Sequence, residues 1–213
     1  MKIAFLSAAD PTDIHSWSGT LYFLYKTLAA RHEVVWRGPE ALAEAARLHR
    51  AFKDGREPFS PCLYTEKIGE VLAYELENEK FDLLFAHDDF LIARLDTRIP
   101  VVYLTDATYH LTHGDTLPDR MAEAEERAER EAIGRADLIV YSSEWAQRDA
   151  VAHYGARPGI LRSVHDLQSG GTALQQSLDR RGRDVLDGIH LHGNDRSGQV
   201  ALFHAAVTDD DPV

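Results

Sequence analysis

The chain has 213 residues, 44% hydrophobic and 27% charged, with a formal net charge of −12; this is the balance of a soluble globular protein and excludes wholesale disorder. The acidic total argues against nucleic acid or an anionic membrane as the main partner, while leaving room for a small anionic ligand in a local cationic pocket. A lone cysteine, Cys62, excludes an internal disulfide and a thiolate metal cage; with no signal peptide in the opening residues and no transmembrane segment, the expected setting is cytoplasmic.

"KIAFLS" (2–7) reads as a first strand, followed by a polar loop and by "TLYFLYKTLAARH" at helical period. "EVVW" (33–36) is a second strand, and "PEALAEAARLHRAF" is a helix opened by proline at its first position. "YTEKIGEVLAYELENEK" carries Ile68, Val71, Leu72 and Leu76 on one face. "DLLFA" (82–86), "VVYLT" (101–105) and "DLIVYS" (137–142) are the third, fourth and fifth strands. The helix "RMAEAEERAEREAIGRA" before the fifth has Glu123, Arg127, Glu131 and Arg135 four apart, the mark of a solvated face. Strands that are continuous apolar runs suit a parallel sheet covered on both sides. Strand–helix alternation then gives a doubly wound α/β layer over residues 1–158.

From residue 159 the text changes. Residues 1–158 contain fifteen Glu and five Lys, and residues 159–213 contain neither. Half of the fourteen glycines fall in this last quarter, where Phe203 is the only aromatic residue. One weak helix, "SGGTALQQSLDRRGRDVLDGI", and one strand, "VALFHAAV", can be read in it, without a βα rhythm. Residues 159–213 are therefore expected to form an atypical tail, poorly ordered or loosely docked. A reading frame disrupted near residue 159 would leave this signature.

In an open parallel sheet, ligands bind beyond the carboxyl ends of the strands, so the residues just after each strand are the candidates. Ser18-Gly19-Thr20 after the first strand reads either as an N-cap turn, with Ser18 capping, or as a turn whose backbone approaches a phosphate. No G-x-G-x-x-G or G-x-x-x-x-G-K-[ST] accompanies it, which disfavours a nicotinamide or P-loop site. His87-Asp88-Asp89 follows the third strand, where Asp88 or Asp89 serves as a helix cap or as a ligand contact. Thr105-Asp106-Ala107-Thr108-Tyr109-His110 follows the fourth, with His113 and Asp115 beyond it. A carboxylate and histidines there suit orientation of a sugar hydroxyl or acid–base work. No metal site is expected: His110-x-x-His113 lies outside a predicted helix, and "THGD" is a turn signal. Ser142-Ser143-Glu144-Trp145 follows the fifth strand, with Ser143 as cap and Trp145 packed inward; no G-x-S-x-G surrounds the serines.

Taken together, "SGTLYFLYKTLAARHEVVWRGP", "YLTDATYHL" and "RADLIVYSSEWAQRDAVAHYG" resemble the amino-terminal half of family 4 glycosyltransferases, over about residues 1–158. The resemblance implies the GT-B fold, two Rossmann-like domains facing across a cleft. It implies transfer of a hexosyl group from a nucleotide diphosphate sugar to an acceptor hydroxyl, with retention and without an essential metal or other cofactor. By position, Gly19 matches the first-loop glycine near the donor diphosphate, flanked by Ser18 and Thr20. Asp106 matches the acidic position near the transferring sugar, with His110 close to it; these two are the expected catalytic residues. Ser143 and Glu144 match the turn by the domain junction, and His87 and Asp88 are further expected substrate contacts. The family's linker and donor-side motifs have no counterpart after residue 158, so a donor-binding domain is expected to be missing and the chain inactive alone. A separate donor-side partner, or self-association through the uncovered cleft, follows from that. The alternatives are a non-catalytic α/β binding or regulatory module, and an unrelated doubly wound domain.

Overall fold

The computed structural model describes residues 1–53, 61–113 and 120–163. Among the described residues, six strands form one sheet: β1 (Lys2–Leu6), β2 (Glu33–Arg37), β3 (Leu83–Ala86), β4 (Val101–Thr105), β5 (Leu138–Tyr141) and β6 (Leu161–Ser163). All pair in parallel, in the order β2-β1-β3-β4-β5-β6. From β1 the chain steps outward to β2, then returns past β1 to β3 and continues the other way. The switch point therefore lies between β1 and β3.

Alternation along the strands divides the core in two. Ala4, Leu6, Leu84, Ala86, Tyr103, Ile139 and Tyr141 face one side, with Ile68, Leu72 and Leu76 of α3 (Pro61–Glu77) packed among them. The same side receives α2 (Pro39–Lys53), the one-turn α4 (Asp89–Ile92), α6 (Arg120–Arg135) and α7 (Glu144–Tyr154). Ile3, Phe5, Leu83, Phe85, Val102 and Val140 face the other side, where Leu21, Leu24 and Leu28 of α1 (Thr20–Ala29) lie on one stripe. Phe5 and Phe85 stack there with ring centroids 5.3 Å apart. With both faces buried, Leu83–Ala86 and Leu138–Tyr141 carry no exposed residue, which is why they read as unbroken apolar runs.

Five strands stand where expected, within a residue or so at each end. The sixth, β6, lies beyond residue 158, so the sheet extends past the expected boundary; its three residues hold a single apolar side chain, too little for a pattern. The rest of the expected tail, with its weak helix and strand, lies outside the described residues. A second difference is α5 (Tyr109–His113), a five-residue helix where a turn was expected. Thr108 starts it, its Oγ1 accepting from Leu111 N at 3.3 Å. Among the described residues, no helix is long and apolar enough to cross a membrane.

Candidate functional site

The loop between β1 and α1 is strained. Ser16–Gly19 form a short 3-10 turn in which Trp17 (φ 46°) and Ser18 (φ 54°) both adopt the left-handed conformation, at a cost of about 1–2 kcal/mol each. Gly19 follows at φ 89° and is the N-cap of α1. Ser18 does not occupy the cap position it was expected to fill. A Cβ on Gly19 would lie 3.3 Å from the Ile14 carbonyl oxygen, so glycine meets two demands here, dihedral and space. The turn carries the Trp17 ring onto His87 at the end of β3, with centroids 3.6 Å apart.

His87 is held by its backbone N–H, which donates to Leu6 O at 3.2 Å, and by Nδ1, 3.2 Å from Leu104 O. A carbonyl only accepts, so Nδ1 carries the proton. Asp88 accepts from Ala8 N at 2.7 Å and so ties β3's end to β1's across the switch point. It occupies the N-cap position of α4 without capping it by its side chain. Asp89 accepts from Phe90 N at 2.7 Å, and burial pushes its carboxyl up to about 6.

Asp106 follows β4 and is exposed. Neighbouring atoms still crowd its carboxyl enough to raise it above the ordinary range, while attraction to His87 draws it back. Its backbone carbonyl accepts from Ser142 Oγ at 2.8 Å, which joins the β4 and β5 turns. Ser143 is the N-cap of α7, its Oγ accepting from Ala146 N at 3.3 Å, as the sequence indicated. Glu144 lies in α7's first turn and pairs with Arg148 at 3.6 Å. Trp145, expected to pack inward, is 57% exposed. The buried stripe of α7 is Ala146, Asp149, Ala150 and Tyr154, and Trp145 lies off it. Ser18, Gly19, Thr20, His87, Asp88, Asp106, Ser143 and Glu144 thus share the carboxyl edge of the sheet, with Trp17, His87 and Asp106 grouped across β3 and β4.

His110 is turned away from that group, into the layer of helices. Its Nδ1 lies 2.8 Å from Asp149 Oδ1, and its backbone N–H donates to the Tyr154 hydroxyl at 2.9 Å. His153, one turn along α7 from Asp149, places its own Nδ1 2.8 Å from the same oxygen. The two imidazoles stack with centroids 3.5 Å apart, and the Thr108 hydroxyl donates to the other Asp149 oxygen. His113 takes no part in this cluster and stacks on Tyr109 at 4.1 Å. Asp149 and His153 were not anticipated. Their i, i+4 spacing is visible in "DAVAH", but nothing local shows that this face of α7 meets α5.

Glu129 was missed as well, on a helix read as a solvated face. It is 4% exposed because it falls on the stripe of Ala128, Ala132 and Ile133. Its Oε2 accepts from Tyr109 N at 2.6 Å, while Oε1 has no hydrogen-bond partner among the described residues. Burial pushes its carboxyl up to about 8, with Asp89 and Asp149 adding to the rise. The neighbouring Tyr141 hydroxyl is also buried without a hydrogen-bond partner among the described residues, and burial raises its phenol. An unpartnered buried hydroxyl costs stability, so Tyr141→Phe should leave the protein unchanged or stabilise it by about 1 kcal/mol. Urea unfolding monitored by circular dichroism measures this, and a loss above about 2 kcal/mol would mean that the hydroxyl has a partner.

Residues 20–166 match the family model described as Glycosyltransferase Family 4. No curated protein matches the chain.

Proposed function

The chain belongs to glycosyltransferase family 4, and on that premise we propose that residues 1–158 are the acceptor-side domain of a hexosyltransferase. Its donor is a nucleotide diphosphate sugar, its acceptor a hydroxyl group, and transfer proceeds with retention and needs no cofactor. The observation that carries this reading is Asp106: a carboxylate at the carboxyl end of β4, beside His87, inside the stretch that matches the family. Its role is to orient the acceptor or to stabilise charge in the transition state. His87 and Asp88 line the acceptor side, Ser18, Gly19 and Thr20 approach the donor diphosphate, and Ser143 and Glu144 face the domain junction. His110, gripped through Nδ1 by Asp149, serves the reaction by holding the loop that carries Asp106.

Loss of a diphosphate is favoured by cationic groups and N–H donors aimed at it. The candidate residues at this edge are instead carboxylates, hydroxyls, an imidazole and a glycine. Transfer by this domain therefore requires a donor-binding side that the described residues do not supply, from another segment or another chain. Titrating the chain with UDP-glucose and GDP-mannose by calorimetry tests this: micromolar binding by residues 1–163 expressed alone would remove the need for a second side. Where transfer is obtained with a donor-binding domain present, Asp106→Ala should lower the rate by about 100-fold, comparable with loss of one transition-state contact. An unchanged rate would take Asp106 out of the mechanism.

A second reading, a non-catalytic α/β binding or regulatory module, is favoured by how many polar groups at this edge are occupied within the protein. Asp88 holds Ala8, Ser142 holds the Asp106 carbonyl, and Ser143 caps α7. Absence of transfer with every donor and donor-side domain, together with retained acceptor binding, would select it.

A further inference from the structure

We propose that His110, Asp149 and His153 form a site for a divalent transition-metal ion, with Zn²⁺ the best fit, which ties α5 to α7. The proposal rests on this geometry alone and does not depend on the transferase reading.

Three residues from two helices converge, His110, His153 and Asp149, each offering one ligand atom within 4.8 Å of the others. Both imidazole nitrogens already lie 2.8 Å from the same carboxylate oxygen. Around a tetrahedral Zn²⁺ with bonds of about 2.0–2.1 Å, neighbouring ligand atoms stand roughly 3.3–3.4 Å apart. Each nitrogen therefore draws back from that oxygen by about half an ångström to make room for the ion between them. In the bound form each neutral imidazole carries its one ring proton on Nε2 and turns its Nδ1 lone pair to the ion.

The surroundings suit a bound ion. Asp149 is 7% exposed, and its second oxygen is fixed by the Thr108 hydroxyl, as outer partners fix ligating carboxylates. The Tyr154 hydroxyl accepts from the His110 backbone N–H, and Arg130 donates to the His153 carbonyl at 3.1 Å, so the backbone carrying both histidines is anchored. His153 is nearly half exposed on its side chain, which gives the ion a path in and leaves a fourth position for water. Two imidazoles and one carboxylate favour Zn²⁺, Ni²⁺ or Fe²⁺ over Mg²⁺ or Ca²⁺, which prefer oxygen. His113, the partner that local spacing suggested for His110, stays outside the shell.

The test is calorimetric titration of the metal-free full chain with Zn²⁺ and Ni²⁺, alongside thermal unfolding. One ion should bind per chain, and Tm should rise by about 5–10 °C at a free Zn²⁺ concentration near 100 times Kd; Mg²⁺ should have no such effect. His153→Ala, at an exposed position that leaves folding intact, should weaken binding by at least the ~10–100-fold typical of outer-partner losses. Asp149→Asn should do the same. His190 and His192 form a second histidine pair in the sequence, so His190→Ala/His192→Ala is the control and should bind as the parent does. Failure of the parent to bind Zn²⁺, unchanged binding by His153→Ala, or loss of binding in the control would each overturn the site.

Discussion

Gly69→Ala is expected to destabilise the protein by about 1–3 kcal/mol, the range for forcing atoms into a filled interior. Gly69 sits in α3 where that helix crosses the residues after α4. A Cβ there would meet the Arg94 carbonyl oxygen at 2.5 Å, its carbon at 2.8 Å and Leu95 N at 3.2 Å. All three are backbone atoms and cannot rotate aside as a side chain would. Relief requires α3 to lift, and α3 carries Ile68, Leu72 and Leu76 in the core. Gly134 in α6 provides the opposite case, with nothing within 4 Å of its would-be Cβ. Gly134→Ala should stabilise by about 0.5–1 kcal/mol, because alanine loses less entropy in a helix. Urea unfolding of the two variants should displace the midpoint in opposite directions. Equal effects would mean that α3 does not lie against the 94–95 backbone.

Stability should also fall as pH rises from about 5 to 8, with Glu129 as the principal cause. Its carboxyl moves from an ordinary 4.5 to about 8 on folding, so across this interval the folded protein holds a proton that the unfolded chain has released. Folding then takes up a proton, and by linkage stability declines with pH. The contribution is whole below the unfolded value, is lost as pH rises through the folded one, and is gone above about 8. For a shift of this size it amounts to about 3–5 kcal/mol. Asp89, pushed up to about 6, adds a smaller decline at lower pH, and its charge contributes to the rise at Glu129. Glu129→Gln places a permanently neutral isostere in the same pocket. Its stability should match the parent near pH 5 and exceed it by about 3 kcal/mol at pH 8.5. Parallel curves for parent and variant from pH 5 to 9 would show that Glu129 is not a buried acid.

Much of this architecture was legible because burial on two faces leaves a mark in one dimension. "LLFA" and "LIVY" could be read as strands of a covered parallel sheet, and Pro39 and Ser143 announced the helices they begin. Gly155, at φ 67°, ends α7 as the αL residue such a helix commonly needs. The candidate edge followed from a rule of the fold, since whatever comes after a parallel strand lies at its carboxyl end. What stayed hidden depended on packing between distant segments. His110 and Asp149 are 39 positions apart, and no local pattern says which face of α7 meets α5. Glu129 was passed over on a helix read by its charges, although its spacing from Ala132 and Ile133 places it on the buried stripe. Trp145 was judged by size, yet in α7 the small Ala146 and Ala150 lie inside, where helix and sheet approach closely. Three-residue β6 and five-residue α5 are too short to establish a period.

The strand order has a consequence for the protein as it is made. β1 is synthesised before either strand it pairs with, and is enclosed by β2 on one side and β3 on the other. Its pairing with β2 joins Ile3 to Val34, but its pairing with β3 joins Ile3 to Leu83. On the ribosome, Ile3 and Phe5 therefore wait with one edge open until residue 83 has cleared the exit tunnel. The bond from Asp88 to Ala8 can form only after that. The carboxyl edge that carries the candidate site thus closes late in synthesis, and the nascent chain exposes an apolar strand edge to chaperones and to other nascent chains until it does.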